Sequence, residues 1–207
     1  MKYQDIQKEE AKTWLIDDPI VRKEKAMREW IRYPLLKKQM GLDYLDTSDM
    51  VVFDIGCGPL GGVSSVVNSK NTIRFDPLIN EYKKYFPQTH DSNMQAEDIK
   101  ESLSEADLII VTNAMDHFEN PDKFMHDLVI HMKPGAYFTH FHAINNAVSH
   151  PHPAHEHNIN PELINSYLKY DFETCWYMDF QHDGLTYGWM KQPAFCGLYR
   201  KVTGYDK

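Results

Sequence analysis

From residue 50 onward the chain alternates short, strongly apolar runs with longer amphipathic or polar stretches. The runs at 50–55, 72–75, 108–112, 136–141, 174–180 and 195–202 are rich in Val, Ile, Leu, Phe and Tyr, and Gly, Pro, Asn or Asp stand close to their ends. Such runs read as strands and the segments between them as helices and turns, the alternation of an open α/β sheet. A further strand near 88–94 is expected from this order alone, because its own sequence is polar. Residues 1–46 differ: they are charge-rich and helical in pattern. Asp18 is placed to cap a helix with Pro19 at its first position, and Ile20, Met27, Trp30 and Ile31 recur near helical spacing before Gly41. The pattern predicts an N-terminal helical cap over 1–46 and an α/β core over 47–207.

The first strand runs into the turn Gly56-Cys57-Gly58-Pro59-Leu60-Gly61-Gly62, and the second ends in Asp76-Pro77. Glycines let backbone approach a ligand closely, and an acid at the end of the next strand accepts hydrogen bonds from ribose hydroxyls, so the pair points to a nucleoside-containing cofactor. A dinucleotide site would read Gly-x-Gly-x-x-Gly and present a helix N-terminus to a pyrophosphate. Here Asp54 precedes the first glycine by two residues and Pro59 follows the second. A carboxylate there repels an anion and attracts an amino group.

These residues resemble motif I of the class I S-adenosylmethionine-dependent methyltransferases, whose Asp/Glu-x-Gly-x-Gly pattern is met by Asp54, Gly56 and Gly58. Leu60 stands where a third glycine often falls in that family. The run 106–121, containing Asn113, Asp116, His117 and Pro121, looks like the family's fourth strand and following loop, and His131-Met132-Lys133-Pro134-Gly135 is similar to its Leu-Lys-Pro-Gly-Gly turn. The resemblance spans about residues 50–142 in order and spacing. It implies a Rossmann-like, doubly wound and mostly parallel sheet of about seven strands, the last antiparallel, with helices on both faces. It also implies S-adenosylmethionine as cofactor and S-adenosylhomocysteine as product. On the same grounds Asp54, Gly56, Cys57 and Gly58 are expected at the methionine end, Asp76 with Pro77 at the ribose, Ala96 and Glu97 at the adenine, and Asn113 near the sulfonium. Each has a plainer reading: Asp54 and Asp76 as turn acids, Cys57 as a small turn residue, Asn113 as a loop-start residue bonding to backbone.

Direct displacement of a sulfonium-bound methyl needs alignment, exclusion of water and, for a hydroxyl acceptor, a base. His117 and His142 are the two base candidates, since an imidazole titrates near neutrality. In 137–142, strand alternation sends His140 and His142 to one face and Phe141 to the other, and at least one histidine is expected to reach the crevice. Asp116, His140 and Asn145 are the expected substrate contacts. The His- and Pro-rich segment at about 143–161 reads as a loop insertion over the substrate. His150, His152, His155, Glu156 and His157 crowd within it, but Pro151 and Pro153 break any helix and the spacings match no common zinc site, so no metal is expected. The aromatic stretch 187–190 is read as core, with an apolar pocket wall or a homodimer contact as alternatives.

Composition narrows the partner. The 207 residues, 42% hydrophobic and 13% aromatic, suffice for one α/β domain. A net charge of −8 and a pI near 5.7 oppose a nucleic-acid footprint. No apolar run approaches a membrane span, the start of the chain is polar, and the three cysteines fit no disulfide framework, so a cytoplasmic protein without membrane contact is expected. The combined expectation is methylation of a small-molecule hydroxyl. Alternatives are N-methylation of a small amine or protein side chain, and a non-catalytic regulatory subunit that binds the cofactor.

Overall fold

The computed structural model describes residues 3–86, 92–144, 157–180 and 193–203. Three of its helices start in the same way. Asp18, Asn120 and Asn160 each precede a proline, and their side chains accept from the backbone N–H groups of Ile20 and Val21, of Lys123, and of Leu163. The cap satisfies donors that the first turn leaves over, and a proline at the next position gives up only an N–H with no helical partner.

Strands β1 (Val51–Ile55), β2 (Asn71–Phe75), β3 (Leu108–Thr112), β4 (Tyr137–Ala143), β5 (Phe172–Asp179) and β6 (Ala194–Lys201) form one sheet in the order β2-β1-β3-β4-β6-β5. The first four pair in parallel, and β6 lies antiparallel between β4 and β5. Among the described residues the sheet thus has six strands, where about seven were expected. Of the segment near 88–94, the described part contributes only a bridge between Ser92 and Phe75. That segment is polar and offers no apolar run for a sheet to bury.

Helices α4 (Pro121–His131) and α5 (Pro161–Leu168) cover one face, where Phe124, Leu128 and Ile164 join Phe53, Ile109, Val111 and Phe138 in one core. Helix α2 (Pro19–Gln39) covers the other: Tyr33 and Leu36, with Met40 just beyond, join Val52, Leu108, Ile110 and Phe141. Strands covered on both faces need near-continuous apolar sequence, which β3 has up to Thr112 and β1 has except at Asp54. The stripe that predicted α2 faces outward: Ile20, Met27, Trp30 and Ile31 are 69%, 55%, 59% and 65% exposed. Helical spacing identifies a face but not what that face meets. The short helix α3 (Ile79–Tyr82) follows β2, and α1 (Tyr3–Trp14) begins the described chain. Among the described residues no helix is long and apolar enough to cross a membrane.

Candidate active site

A cavity of about 620 Å³ opens at the C-terminal ends of the parallel strands. Its wall takes Gly56, Cys57 and Gly58 from beyond β1, Asp76 and Pro77 from beyond β2, Asn113, Ala114 and His117 from beyond β3, and Phe141 and Ala143 from β4. This is where an open parallel sheet leaves room for a ligand. Helices α1 and α2 close it from the far side.

The turn after β1 needs its glycines. Gly56 has φ +72°, and a Cβ there would lie 2.3 Å from the Ala114 Cβ. Gly58 at φ +65° has open space around its own missing Cβ, so backbone is exposed to whatever enters. The two acids take different places. Asp76 lines the cavity while only 7% exposed, accepting the N–H of Gly58 at Oδ2 and of Leu78 at Oδ1, both at 2.9 Å. Burial pushes its pKa up to about 6 against the pull of those two donors, and the Glu10 carboxylate adds to the rise. Asp54 is wholly buried and does not line the cavity; its Oδ2 accepts the Ser64 N–H at 2.9 Å. It fixes the far end of the turn from beneath, and unlike Asp76 it is not among the residues of the cavity wall.

Ala96 and Met94 form the wall beyond Pro77. The Glu97 side chain points elsewhere: its Oε1 accepts the Asn120 N–H at 2.9 Å at the start of α4, and burial raises its pKa. Of the expected adenine pair, therefore, only Ala96 reaches the cavity.

After β3 the backbone is bent by Asn113, the one non-glycine residue with positive φ (49°) among the described residues. Its N–H donates to the Phe141 carbonyl at 2.7 Å, and its Oδ1 accepts the Ala143 N–H at 3.0 Å. The side chain thus bonds the neighbouring strand and not its own turn, and Asn tolerates the left-handed region better than other side chains. The bend carries His117 onto the wall. Its Nε2 lies 3.7 Å from Asp116 Oδ1 and its Nδ1 3.9 Å from Glu10 Oε2. Asp116 sits behind it, 4% exposed and off the wall.

Strand alternation operates on β4 as expected, but with the opposite parity. Phe141 and Ala143 reach the cavity, while His140 and His142 are 0% and 1% exposed on the other face. Their rings stack 5.2 Å apart among Phe138, Phe195 and Tyr199, and none of their four nitrogens has a hydrogen bond among the described residues. Burial lowers the pKa of His142 to about 4 and that of His140 well below the ordinary range. The parity is set by register: Val111 pairs with His140, and Thr112, which lines the cavity, pairs with Phe141. His142 as a base in the crevice, and His140 as a substrate contact there, do not fit this arrangement. Asn145, His150, His152, His155 and Glu156 lie outside the described residues, as do 187–190.

The sequence places α1 in the expected helical cap over 1–46, but none of its residues was among the expected site residues. Tyr3, Gln7, Glu10 and Trp14 follow one another at helical spacing along one side of it, and all four line the cavity. Lys25, Glu29 and Arg32 add charged groups from α2. Arg32 is 2.6 Å from Glu29; the Lys25 Nζ donates to the Thr13 carbonyl at 2.7 Å and sits 4.0 Å from the centre of the Trp14 ring, joining the two helices. The 4-3-4 spacing of the α1 residues was visible, but a stripe of mostly polar residues gives no burial signal.

These groups fit S-adenosylmethionine. The open backbone at Gly58 suits close approach, Asp76 keeps lone pairs for hydroxyls, and the apolar wall at Met94 and Ala96 suits a flat base. Comparisons with known proteins agree. A family model described as a methyltransferase domain matches residues 24–187. No curated protein matches significantly in sequence. Among solved structures, the chain is similar to the N-methyltransferase NodS from Bradyrhizobium japonicum WM9 bound to S-adenosylhomocysteine: 16% identity, TM-score 0.62, covering 97% of this chain and 98% of that one. It is also similar to YcgJ from Bacillus subtilis (13% identity, TM-score 0.57, 83% and 98% covered) and to the [4+2]-cyclase SpnF (14% identity, TM-score 0.57, 83% and 80% covered). At such identities these structures show the shared fold alone; the family match carries the assignment. The chain belongs to the class I methyltransferases, with S-adenosylmethionine as its cofactor.

Proposed function

We propose that this chain methylates a hydroxyl group of a small-molecule acceptor, with His117 as the general base. The observation that carries the reading is the place of His117: on the cavity wall, with a carboxylate near each ring nitrogen, Asp116 at 3.7 Å and Glu10 at 3.9 Å. A carboxylate beside an imidazole orients the ring and stabilises the imidazolium that forms when it accepts a proton. S-adenosylmethionine, when bound, supplies a methyl group already activated by its sulfonium. The chain's residues then have three tasks. Gly56, Cys57 and Gly58 hold the amino-acid end, Asp76 and Pro77 the ribose, and Ala96 the base. Asn113 keeps the bend after β3 that sets His117 at the wall. Helices α1 and α2 close the cavity and exclude water.

A cavity of about 620 Å³ that must hold the cofactor leaves room for a metabolite-sized acceptor. The net charge of −8 opposes a nucleic acid, and the reading places the protein in the cytoplasm. A second reading has its own observation: Glu10 and Glu29 both line the cavity and would attract a cationic amine, and NodS is an N-methyltransferase. Replacing His117 with Gln separates the two. For a hydroxyl acceptor, turnover is expected to fall by about 10²–10⁴-fold with cofactor affinity by calorimetry unchanged. Retained turnover at a pH where an amine is neutral would exclude His117 as the base and favour the amine.

A further inference from the structure

We propose that α2 is a self-pairing surface through which two copies of this chain form an antiparallel, two-fold dimer. The starting point is the face that α2 turns away from the sheet. Down its centre run Ile20, Glu24, Met27, Ile31, Pro34 and Lys38, all exposed, at successive spacings of four, three, four, three and four residues. That 3.5-residue repeat is the seam of helix-on-helix packing and not the broader stripe of a helix lying on a sheet. Trp30 and Val21 flank the seam, 59% and 42% exposed. An exposed apolar patch of this extent marks an interaction surface.

Charge selects the occupant. Helix α2 carries seven Lys and Arg against two Glu, which at first opposes pairing with itself. Most of these cations are turned away from the seam. Arg22 donates to the Ile16 carbonyl, Lys25 to that of Thr13, Arg32 pairs with Glu29, and Lys37 with Asp43. Lys23 and Arg28 beside the seam, and Glu24 and Lys38 within it, form no ion pair among the described residues. A second α2 laid antiparallel, with the two-fold axis between Lys25 and Ala26, brings Lys23, Glu24 and Arg28 each to a complement and leaves Lys38 at the rim of the contact. Glu24 meets Arg28 of the partner subunit, Lys23 meets Trp30 of the partner subunit, and Ile20 meets Ile31 of the partner subunit. Because the contact is isologous, each occurs twice. A parallel pair would set Glu24 against Glu24. A lipid surface would accept the apolar residues and the cations, but it would have to bury Glu24 in the middle of the seam. The opposite side of α2 supplies Lys25, Glu29 and Arg32 to the cavity, so pairing would brace the wall of the active site from outside.

The test is sedimentation equilibrium of the full chain and of charge-reversed variants on this exposed face. The wild type is expected at twice 24.3 kDa at tens of micromolar. Glu24→Arg and Arg28→Glu should each weaken the dimer at least tenfold, and the double variant should recover it, with unchanged circular dichroism throughout. A monomeric wild type, single reversals without effect, or a double variant that stays dissociated would each overturn the proposal. So would a monomer that floats with phosphatidylserine vesicles, which would make α2 a membrane face.

Discussion

At the ends of β1 and β2 the buried carboxylates of Asp54 and Asp76 each accept backbone N–H groups, whereas on β4 the equally buried His140 and His142 have no hydrogen bond among the described residues. The difference follows from what each group does for the fold. A buried carboxylate is tolerated when donors hold it, and here the donors belong to the turn it shapes. A neutral imidazole costs less to bury, and its ring stacks with Phe138, Phe195 and Tyr199 as an aromatic filler. One region is polar and organised toward the cavity; the other is polar in composition only. The two also respond oppositely to acid, because Asp76 is raised to about 6 and His142 lowered to about 4.

The sharpest way to break the organised region is Gly56→Ala. A left-handed φ costs a non-glycine residue about 1–2 kcal/mol, and the new Cβ would lie 2.3 Å from the Ala114 Cβ. Overpacking of this kind adds about 1–3 kcal/mol. Chemical denaturation is expected to show a loss of about 3 kcal/mol, together with loss of cofactor binding. Full stability would mean that the turn after β1 is not held against Ala114.

The other region is tested by acid. His142 has a folded pKa of about 4, below its ordinary value of 6.5. Its neutral form favours the folded state fully above pH 6.5, and that contribution is lost as pH falls from 6.5 towards 4. His140 acts in the same direction. Asp76 acts in the other: its raised pKa contributes stability that is full below 3.8 and lost as pH rises through 6. His142→Leu removes one of the two imidazoles. Between pH 7.5 and 5 the variant should lose about 2 kcal/mol less than the wild type in denaturant titrations. At pH 7.5 it should remain within about 1 kcal/mol of wild type, since no hydrogen bond is broken. Equal acid sensitivity in the two proteins would show that His142 is already charged or hydrated when folded.

How much of this was readable from sequence depends on what each signal encodes. The turn was legible because glycines and acids at fixed spacing report backbone conformation, and Gly56, Gly58 and Asp76 stand together at the cavity as expected. Asp54 was legible as part of the turn but not as its underside, since a motif names a residue and not the direction of its side chain. The alternation of His140, Phe141 and His142 was correct. Which of them meets the cavity depends on the pairing of β4 with β3, and that register is not a local property. Helix α2 was found from a stripe that forms its outer face, and the wall supplied by α1, where Gln7 and Glu10 stand between Tyr3 and Trp14, left only a weak hydrophobic signature.

The smallest effect concerns the protonation of Asp76 itself. If ribose hydroxyls donate to its carboxylate, cofactor affinity must follow ionisation of the group, which is about half complete at pH 6. At pH 5 about one molecule in ten carries the charge, so the apparent dissociation constant should rise about tenfold between pH 7.5 and 5. Asp76→Asn keeps a carbonyl oxygen for the Gly58 or the Leu78 N–H but has nothing to titrate. Its affinity should be weaker at pH 7.5, by about tenfold, and flat across the same range. Calorimetry of S-adenosylhomocysteine binding at several pH values measures both slopes. A flat wild-type profile would mean that the cofactor does not use this carboxylate, leaving Asp76 to the turn that it already holds through Gly58 and Leu78.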